Sequence, residues 1–333
     1  MTPSEYVGNL YRLLLGRQPD DAGLQFWVDF IAASGDPTEV LAGILDSPEY
    51  RSRNTQQSMQ CDTSKVVALA AHLSPERVLT VVDVGAQMLP HEEHAYLPLL
   101  NASLPCQVIG FDPLADRMQE RAEHERGYNP YLLPYAIGDG GQHTFYINNL
   151  DATSSLYPLN EEVIKHFADM ASLATIKTEK IPTRTLDDVL TGKTIDFLKL
   201  DIQGFELRSL EAALTTLSRT AVVHCETEFR QIYAGQPLFP QVHSFLTAHN
   251  FTFVDFFNPV KLSLKVPSGR GGPDMLVFAD AVFFHEPNPA EPDLHIVQAL
   301  IAILVYGKPA LAEWVLHQYD QVAGTNLASI LAT

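Results

Sequence analysis

From residue 64 onward the chain alternates short apolar runs with helical segments, and several of those runs stop at an acidic residue: LTVVDVGA, CQVIGFDP, IDFLKLDIQG and TAVVHCETEF. Alternating strands and helices predict a parallel sheet covered on both faces. Ligands of such open sheets bind beyond the carboxyl ends of the strands, where the strand order reverses. The acids therefore stand where a ligand would be met. This pattern makes the fold class α/β, with its chemistry gathered on one edge of the sheet.

The remaining segments fill in that frame. HAYLPLLNA and LADRMQERAEHE read as the first two crossover helices, PYLLPYAIGD as a third strand and HTFYINN as an added strand or hairpin. Residues 150–178 are polar without a clear element, which suits a lid or acceptor wall carrying Asp151, Ser154, Ser155, Tyr157 and His166. KIPTRTLDDVL leads into the strand IDFLKLD and its helix GFELRSLEAAL. TAVVHCETEF and PQVHSFLTAHN follow, then FTFVDFFNP and DMLVFADAVFFHE as a final strand pair. From about Asp293 the chain is helical again, and Gly307-Lys308-Pro309 predicts a break into a hairpin.

Residues 1–55 read as helices only: YVGNLYRLLLGR, then GLQFWVDFIAA with Phe26, Trp27 and Phe30 on one side, then two more in DPTEVLAGILDSPEYRSR. The expected organisation is a helical accessory domain over 1–55, a linker and lead-in helix over 56–77, the α/β domain over 78–290, and a C-terminal helical extension over 291–333.

The net charge of −18 argues against nucleic acid or an anionic membrane surface as the main partner. No stretch approaches the ~20 apolar residues of a membrane span. MTPSEYVGNLYRLLLGRQPDD lacks the basic opening and apolar run of a signal peptide. Cys61, Cys106 and Cys225 form no CxxC pair and suit a reducing cytoplasm, with Cys106 and Cys225 as core residues.

The strand ends supply the candidate site. Gly85 lets backbone approach a ligand closely, and Asp83 either fixes the turn or faces a ligand amino group. Asp112 can accept both hydroxyls of a ribose or, before Pro113, cap the next helix. Ile137 offers a surface to an adenine and Asp139 an acceptor to its amine, although Gly138-Asp139-Gly140-Gly141 also reads as a plain turn. The most specific segment is IDFLKLDIQGFE: Asp201 ends a buried strand, and Gln203 and Glu206 converge on the same edge. Glu206 also suits a helix's first turn. Alternation puts His224, Glu226 and Glu228 on one strand face. With Asp201 they can take a divalent metal through oxygen or supply a general base; no other feature of the sequence supports a resident metal. The lack of GxGxxG after the first strand argues against a nicotinamide enzyme.

Together VVDVGA, GFDP, AIGD, Thr185-Leu186-Asp187-Asp188, IDFLKLDIQGFELRSLEAA, the strand-end Glu226 and Asp280-Ala281-Val282-Phe283-Phe284 resemble the FkbM methyltransferase family over roughly residues 78–286. The resemblance implies a Rossmann-like class I methyltransferase sheet of seven strands, the last antiparallel. It implies S-adenosylmethionine as methyl donor and a hydroxyl on a sugar, glycan or natural product as acceptor. By position, Asp83 and Gly85 would flank the methionine part of the donor. Asp112 would hold the ribose, Asp139 would lie near adenine, and Asp201 would face the reacting groups. Asp201, Glu226 and His224 are the candidate bases. The family's first motif continues as DxGANxG, whereas this chain reads Gly85-Ala86-Gln87-Met88-Leu89-Pro90. Gln87 can replace some of the missing contacts. The departure leaves open a non-catalytic adaptor in a glycan-related assembly. Residues 5–53 resemble an uncharacterised bacterial helical domain of the LYRxLLGRxPDxxGxxxW pattern, found beside methyltransferases and glycan-processing enzymes.

Overall fold

The structure is a computed structural model that describes residues 3, 4, 7, 8, 11, 19–34, 40, 47, 63–87, 93–102, 104–125, 127–269, 272–288 and 290–332. It divides into two compact units, Met1–Thr63 and Ser64–Thr333. In the first, the expected helix spans Asp21–Ser34. Asp20 accepts a hydrogen bond from the Gly23 amide at 2.7 Å, satisfying one of the free amides of the first turn. Trp27 and Phe30 pack with Val7, Tyr11 and Val40, but Phe26, expected on the same side, is 60% exposed. The other helices expected within residues 1–55, the start of the expected linker from residue 56 and Cys61 lie largely or wholly outside the described residues.

The second unit holds ten strands among its described residues. They are β1 (Leu79–Val84), β2 (Cys106–Phe111), β3 (Tyr131–Leu133), β4 (Ala136–Ile137), β5 (Gln142–Asn148), β6 (Thr175–Arg184), β7 (Ile195–Leu200), β8 (Thr220–Glu228), β9 (Phe251–Ser263) and β10 (Pro273–His285). Seven of them form one sheet in the order β3-β2-β1-β7-β8-β10-β9. The order reverses between β1 and β7, and β10 runs antiparallel to both neighbours. This is the expected Rossmann-like sheet with its last strand reversed.

The central strands are buried on both faces, which is why they read as unbroken apolar runs. Val82, Ile109, Leu198, Val223 and Phe283 form one layer with Leu210 and Leu246 of the helices Glu206–Glu211 and Phe239–Ala248. Against β7 and β8 also packs the helix Pro292–Leu304, which with Pro309–Ala323 makes the expected C-terminal hairpin. Gln298 locks it down by donating to the carbonyls of Ala221 and His285 at 2.8 and 2.9 Å.

Two expectations change. PYLLPYAIGD is not one strand. Pro134 has no amide to give to a ladder, the Tyr135 amide turns back onto the Leu133 carbonyl at 2.8 Å, and β4 leaves for a second, three-stranded sheet of order β4-β6-β5. Nor is the 150–178 stretch without structure. It holds a 3-10 turn at Asp151–Thr153, a short helix at Glu161–Ile164 and the start of β6. Its backbone bonds go to distant partners, such as the Asn160 amide to the Ile232 carbonyl at 2.7 Å, and Ile164 and Phe167 pack on Ile232, Tyr233 and Val277. Long-range pairing of this kind leaves no local periodicity to read. Cys225 is fully buried as expected, whereas Cys106 is only partly covered.

Candidate active site

A cavity of about 370 Å³ opens at the carboxyl ends of β1, β2, β7 and β8, walled by residues 151–156 and by β10. Of the residues picked from the sequence, Gly85, Gln87, Asp112, Ile137, Asp201, His224 and Glu226 line it. Asp83 and Asp139 do not reach the wall.

The turn after β1 is set by close packing. Gly85 has φ +80°, and a Cβ there would come within 1.7 Å of the Asp201 carbonyl oxygen. Only glycine fits. The Gly85 and Ala86 amides both donate to the Phe111 carbonyl, at 2.9 and 3.0 Å, so three strand ends meet at this turn. Gln87, where the departure from the DxGANxG pattern begins, lines the cavity, and residues 88–92, which continue it, lie outside the described residues.

Asp83 stands behind the turn, 1% exposed. Its Oδ2 accepts from Arg121 Nη1 at 2.8 Å and from the Tyr96 hydroxyl at 2.7 Å, while Lys199 Nζ lies 3.7 Å from Oδ1. Burial would raise its pKa, but Lys199, Arg121 and His94, with the Tyr96 hydrogen bond, bring it down to about 2. Arg121 is itself wholly buried and also donates to the Ala86 carbonyl at 2.9 Å and to Glu125 at 2.8 Å. Asp83 thus fixes the turn, one of the two roles the sequence left open, and Arg121 fixes it with Asp83.

Asp112 ends β2 on the cavity wall. One oxygen accepts the Leu114 amide at 2.8 Å, and the helix Ala115–His124 begins just after. Burial pushes its carboxyl up to about 6. Asp139 instead binds His143 at 2.7 Å and the Gly141 amide at 3.0 Å within the β4–β5 turn, the plain-turn reading of that segment.

After β7 the chain enters the left-handed region at Gln203 (φ +58°) and again at Gly204. A non-glycine residue there stores roughly 1–3 kcal/mol, and three contacts hold it. Gln203 Nε2 donates to Asp201 Oδ1 at 2.8 Å and to Glu226 Oε2 at 2.9 Å, and its Oε1 accepts from the Tyr233 hydroxyl at 2.7 Å. Asp201 Oδ2 receives Lys199 Nζ at 3.2 Å. Burial opposes ionisation of Asp201, but Lys199 and the hydrogen bonds from Gln203 and Glu226 together outweigh it and hold the pKa down. Glu226, buried beside Asp201 and Glu228, goes well up instead. Glu206 turns away from the cavity, accepting the Ile202 and Gly204 amides at 2.7 and 3.2 Å, and burial raises it to about 7. It serves the turn and not the ligand edge.

His224 is 1% exposed. Its Nδ1 lies 3.0 Å from the Tyr306 hydroxyl and its Nε2 3.3 Å from Asp280 Oδ2. Glu228 and Asp280 complete this acidic end of the cavity. Among the described residues no three His, Cys, Asp or Glu side chains are placed to hold a metal.

Sequence reasoning missed Lys199, Arg121, Tyr233 and Tyr306. Lys199 had a signal: it is a charge inside the apolar run IDFLKLD. Arg121 had none, because LADRMQERAEHE reads as an ordinary charged helix.

Residues 1–54 match a domain of unknown function, DUF4214. Magnesium protoporphyrin IX methyltransferase from Synechocystis PCC 6803 is similar over 77% of this chain and 94% of its own, at 12% identity and a TM-score of 0.32. The CurJ carbon methyltransferase is similar over 85% of this chain and 67% of its own, at 13% identity and a TM-score of 0.31. No curated protein matches the chain. Residues 83–253, from the end of β1 into β9, match the Methyltransferase FkbM domain. On that match the chain belongs to the FkbM methyltransferase family.

Proposed function

We propose that the protein transfers the methyl group of S-adenosylmethionine to a hydroxyl oxygen of a sugar, glycan or other natural product. The observation that supports this best is the continuity of the cavity, which runs from Asp112 at one strand end to His224, Glu226 and Asp280 at others. The residues present fit the donor. Gly85 lines the cavity with bare backbone, Asp112 keeps one oxygen free of hydrogen bonds among the described residues for a ribose, and Ile137 faces the cavity as an apolar surface. The donor supplies a methyl group already activated on a sulfonium. The protein must then orient the acceptor and remove its proton. Asp201, Glu226 and His224 are the candidate bases read from the sequence, and all three line the cavity. No metal is required by this reading.

We assign catalysis to residues 78–290, an accessory role to 1–55 and a supporting one to 291–333, and we place the protein in the cytoplasm on its cysteine usage. No helix among the described residues is long and apolar enough to cross a membrane.

The test is calorimetric titration with S-adenosylmethionine and S-adenosylhomocysteine, followed by S-adenosylhomocysteine release on a panel of hydroxylated acceptors. Micromolar binding that falls at least tenfold in Asp112→Ala is the expected result. Absence of binding at millimolar ligand would sink this reading and leave the adaptor role.

A further inference from the structure

We propose that Asp280 accepts the proton of the hydroxyl being methylated, and that His224 and Tyr306 hold it in place for that task. The assignment rests on the hydroxyl-methylation reading above and supplies the base it leaves open.

Five side chains compete for the role at the acidic end of the cavity: Asp201, Glu226, Glu228, His224 and Asp280. Glu228 is buried, and burial favours its already carrying a proton. Asp201 has both oxygens engaged, by Gln203 at 2.8 Å and by Lys199 at 3.2 Å. The Lys199 cation, in direct contact with it and acting on Asp280 less strongly, also makes it a weaker base. Glu226 is bonded by Gln203, and burial beside Asp201 favours its already carrying the proton it would have to accept. His224 has both nitrogens turned to protein partners, Tyr306 and Asp280. Phe197 and Phe257 box its ring at centroid distances of 5.6 and 5.7 Å. Asp280 differs from all four. Its side chain is 19% exposed and lines the cavity, and among the described residues no hydrogen bond reaches it; its near partner is the His224 ring.

The sheet register produces this arrangement. On β10, Asp280 stands opposite Glu226 of β8, and His224 stands opposite Val282, so Asp280 and His224 are diagonal neighbours on one face. An ionised carboxylate repels a lone pair and attracts an N–H, so the His224 proton belongs on Nε2, on the Asp280 side of the ring, close to the carboxylate but outside hydrogen-bond geometry. Nδ1 is then the acceptor, and Tyr306, whose phenol burial keeps protonated, donates to it. The phenol fixes the tautomer, which leaves the ring proton on Nε2, buried without a hydrogen bond among the described residues and 3.3 Å from the carboxylate, where it attracts the negative charge through space.

The step balances. Asp280 takes the proton as the acceptor O–H bond breaks and the O–CH₃ bond forms. The S–CH₃ bond breaks, leaving its electron pair on sulfur. The positive charge of the sulfonium and the negative charge of Asp280 vanish together, so the step creates no new charge. Tyr306 lies beyond residues 83–253, and Asp280, though it opens the last segment of the family resemblance, is given no role by that resemblance.

The test uses the full chain in two arms. In the first, ¹⁵N NMR of the histidine rings is recorded with S-adenosylhomocysteine present. A neutral His224 ring protonated on Nε2, with resonances that move in Asp280→Asn and in Tyr306→Phe, is expected. A ring protonated on Nδ1, or one indifferent to Asp280→Asn, overturns the proposal. In the second, turnover is followed on a panel of methyl glycosides and phenols. Asp280→Asn is expected to lower kcat by about 100-fold or more with donor Kd and acceptor KM within threefold, and Asp280→Glu to recover part of the loss. Full kcat in Asp280→Asn on any hydroxyl acceptor overturns the proposal, and the same result with loss in Asp201→Asn moves the base to Asp201. A wild-type protein that methylates only amines or carbon refutes the hydroxyl reading itself. The ring measurement then still shows whether the Asp280–His224–Tyr306 arrangement exists.

Discussion

Replacing Arg121 by Met removes a guanidinium that no solvent reaches and that holds four groups at once: Asp83, the Ala86 carbonyl, Tyr96 and Glu125. The methionine fills similar volume, so the cost is electrostatic. Asp83 is held down to about 2 from 3.8, with Arg121 among the causes. At about 1.4 kcal/mol per unit, the environment favours its ionised form by roughly 2–3 kcal/mol. Losing one partner of a buried ion pair costs about 3–5 kcal/mol, because the other charge stays behind. Lys199 remains 3.7 Å away and softens the loss, so the lower end, about 3 kcal/mol, is expected. For a unit of this size that is a fall of roughly 6–12 °C in Tm. Urea and thermal unfolding of the Ser64–Thr333 transition would measure it. The turn at Ala86 also loses its tether, so S-adenosylhomocysteine affinity should fall with stability, whereas Arg121→Lys should restore part of both. An Arg121→Met protein within 1 kcal/mol of wild type, with unchanged donor affinity, would refute the claim that this network holds the turn.

Two further outcomes follow from the same geometry. Gly85→Ala meets both a left-handed φ and a carbonyl 1.7 Å from the new carbon, so it should abolish soluble folding or cost over ~3 kcal/mol in urea unfolding. Glu206 is raised to about 7 from 4.5 by burial, so the folded state binds its proton more tightly than the unfolded chain does. Its contribution is whole below pH 4.5 and is lost as pH rises towards 7. Glu206→Gln should flatten that part of the stability profile, and an unchanged slope between those pH values would contradict the assignment.

The parts of the molecule that were legible in the sequence share one cause. Strands buried on both faces must be apolar throughout, and a carboxylate that ends such a run stands out, so Asp112 and Asp201 were found at once. Asp139 looked alike in sequence but is part of a turn, because Pro134 sends β4 out of the main sheet before that residue is reached. Gly85 was read as a ligand cradle, yet the Asp201 carbonyl behind it excludes a side chain before any ligand enters. Arg121 and Tyr306 stayed hidden because what defines them is distance along the chain: Arg121 answers an acid 38 positions earlier, and Tyr306 a histidine 82 positions earlier. No local pattern records such a debt between segments.

The packing of Gly85 against the Asp201 carbonyl also bears on how such a site can change over generations. The ends of β1 and β7 admit no side chain between them, so that part of the floor has no room for variation. Altered acceptor size or shape must come from elsewhere on the rim, from residues 151–156 and from the far strands β9 and β10. Segments that join framework elements tolerate substitution and insertion far better than the framework itself. A lineage of such enzymes would diversify its acceptors at that rim while the glycine and the strand ends it joins stayed constant.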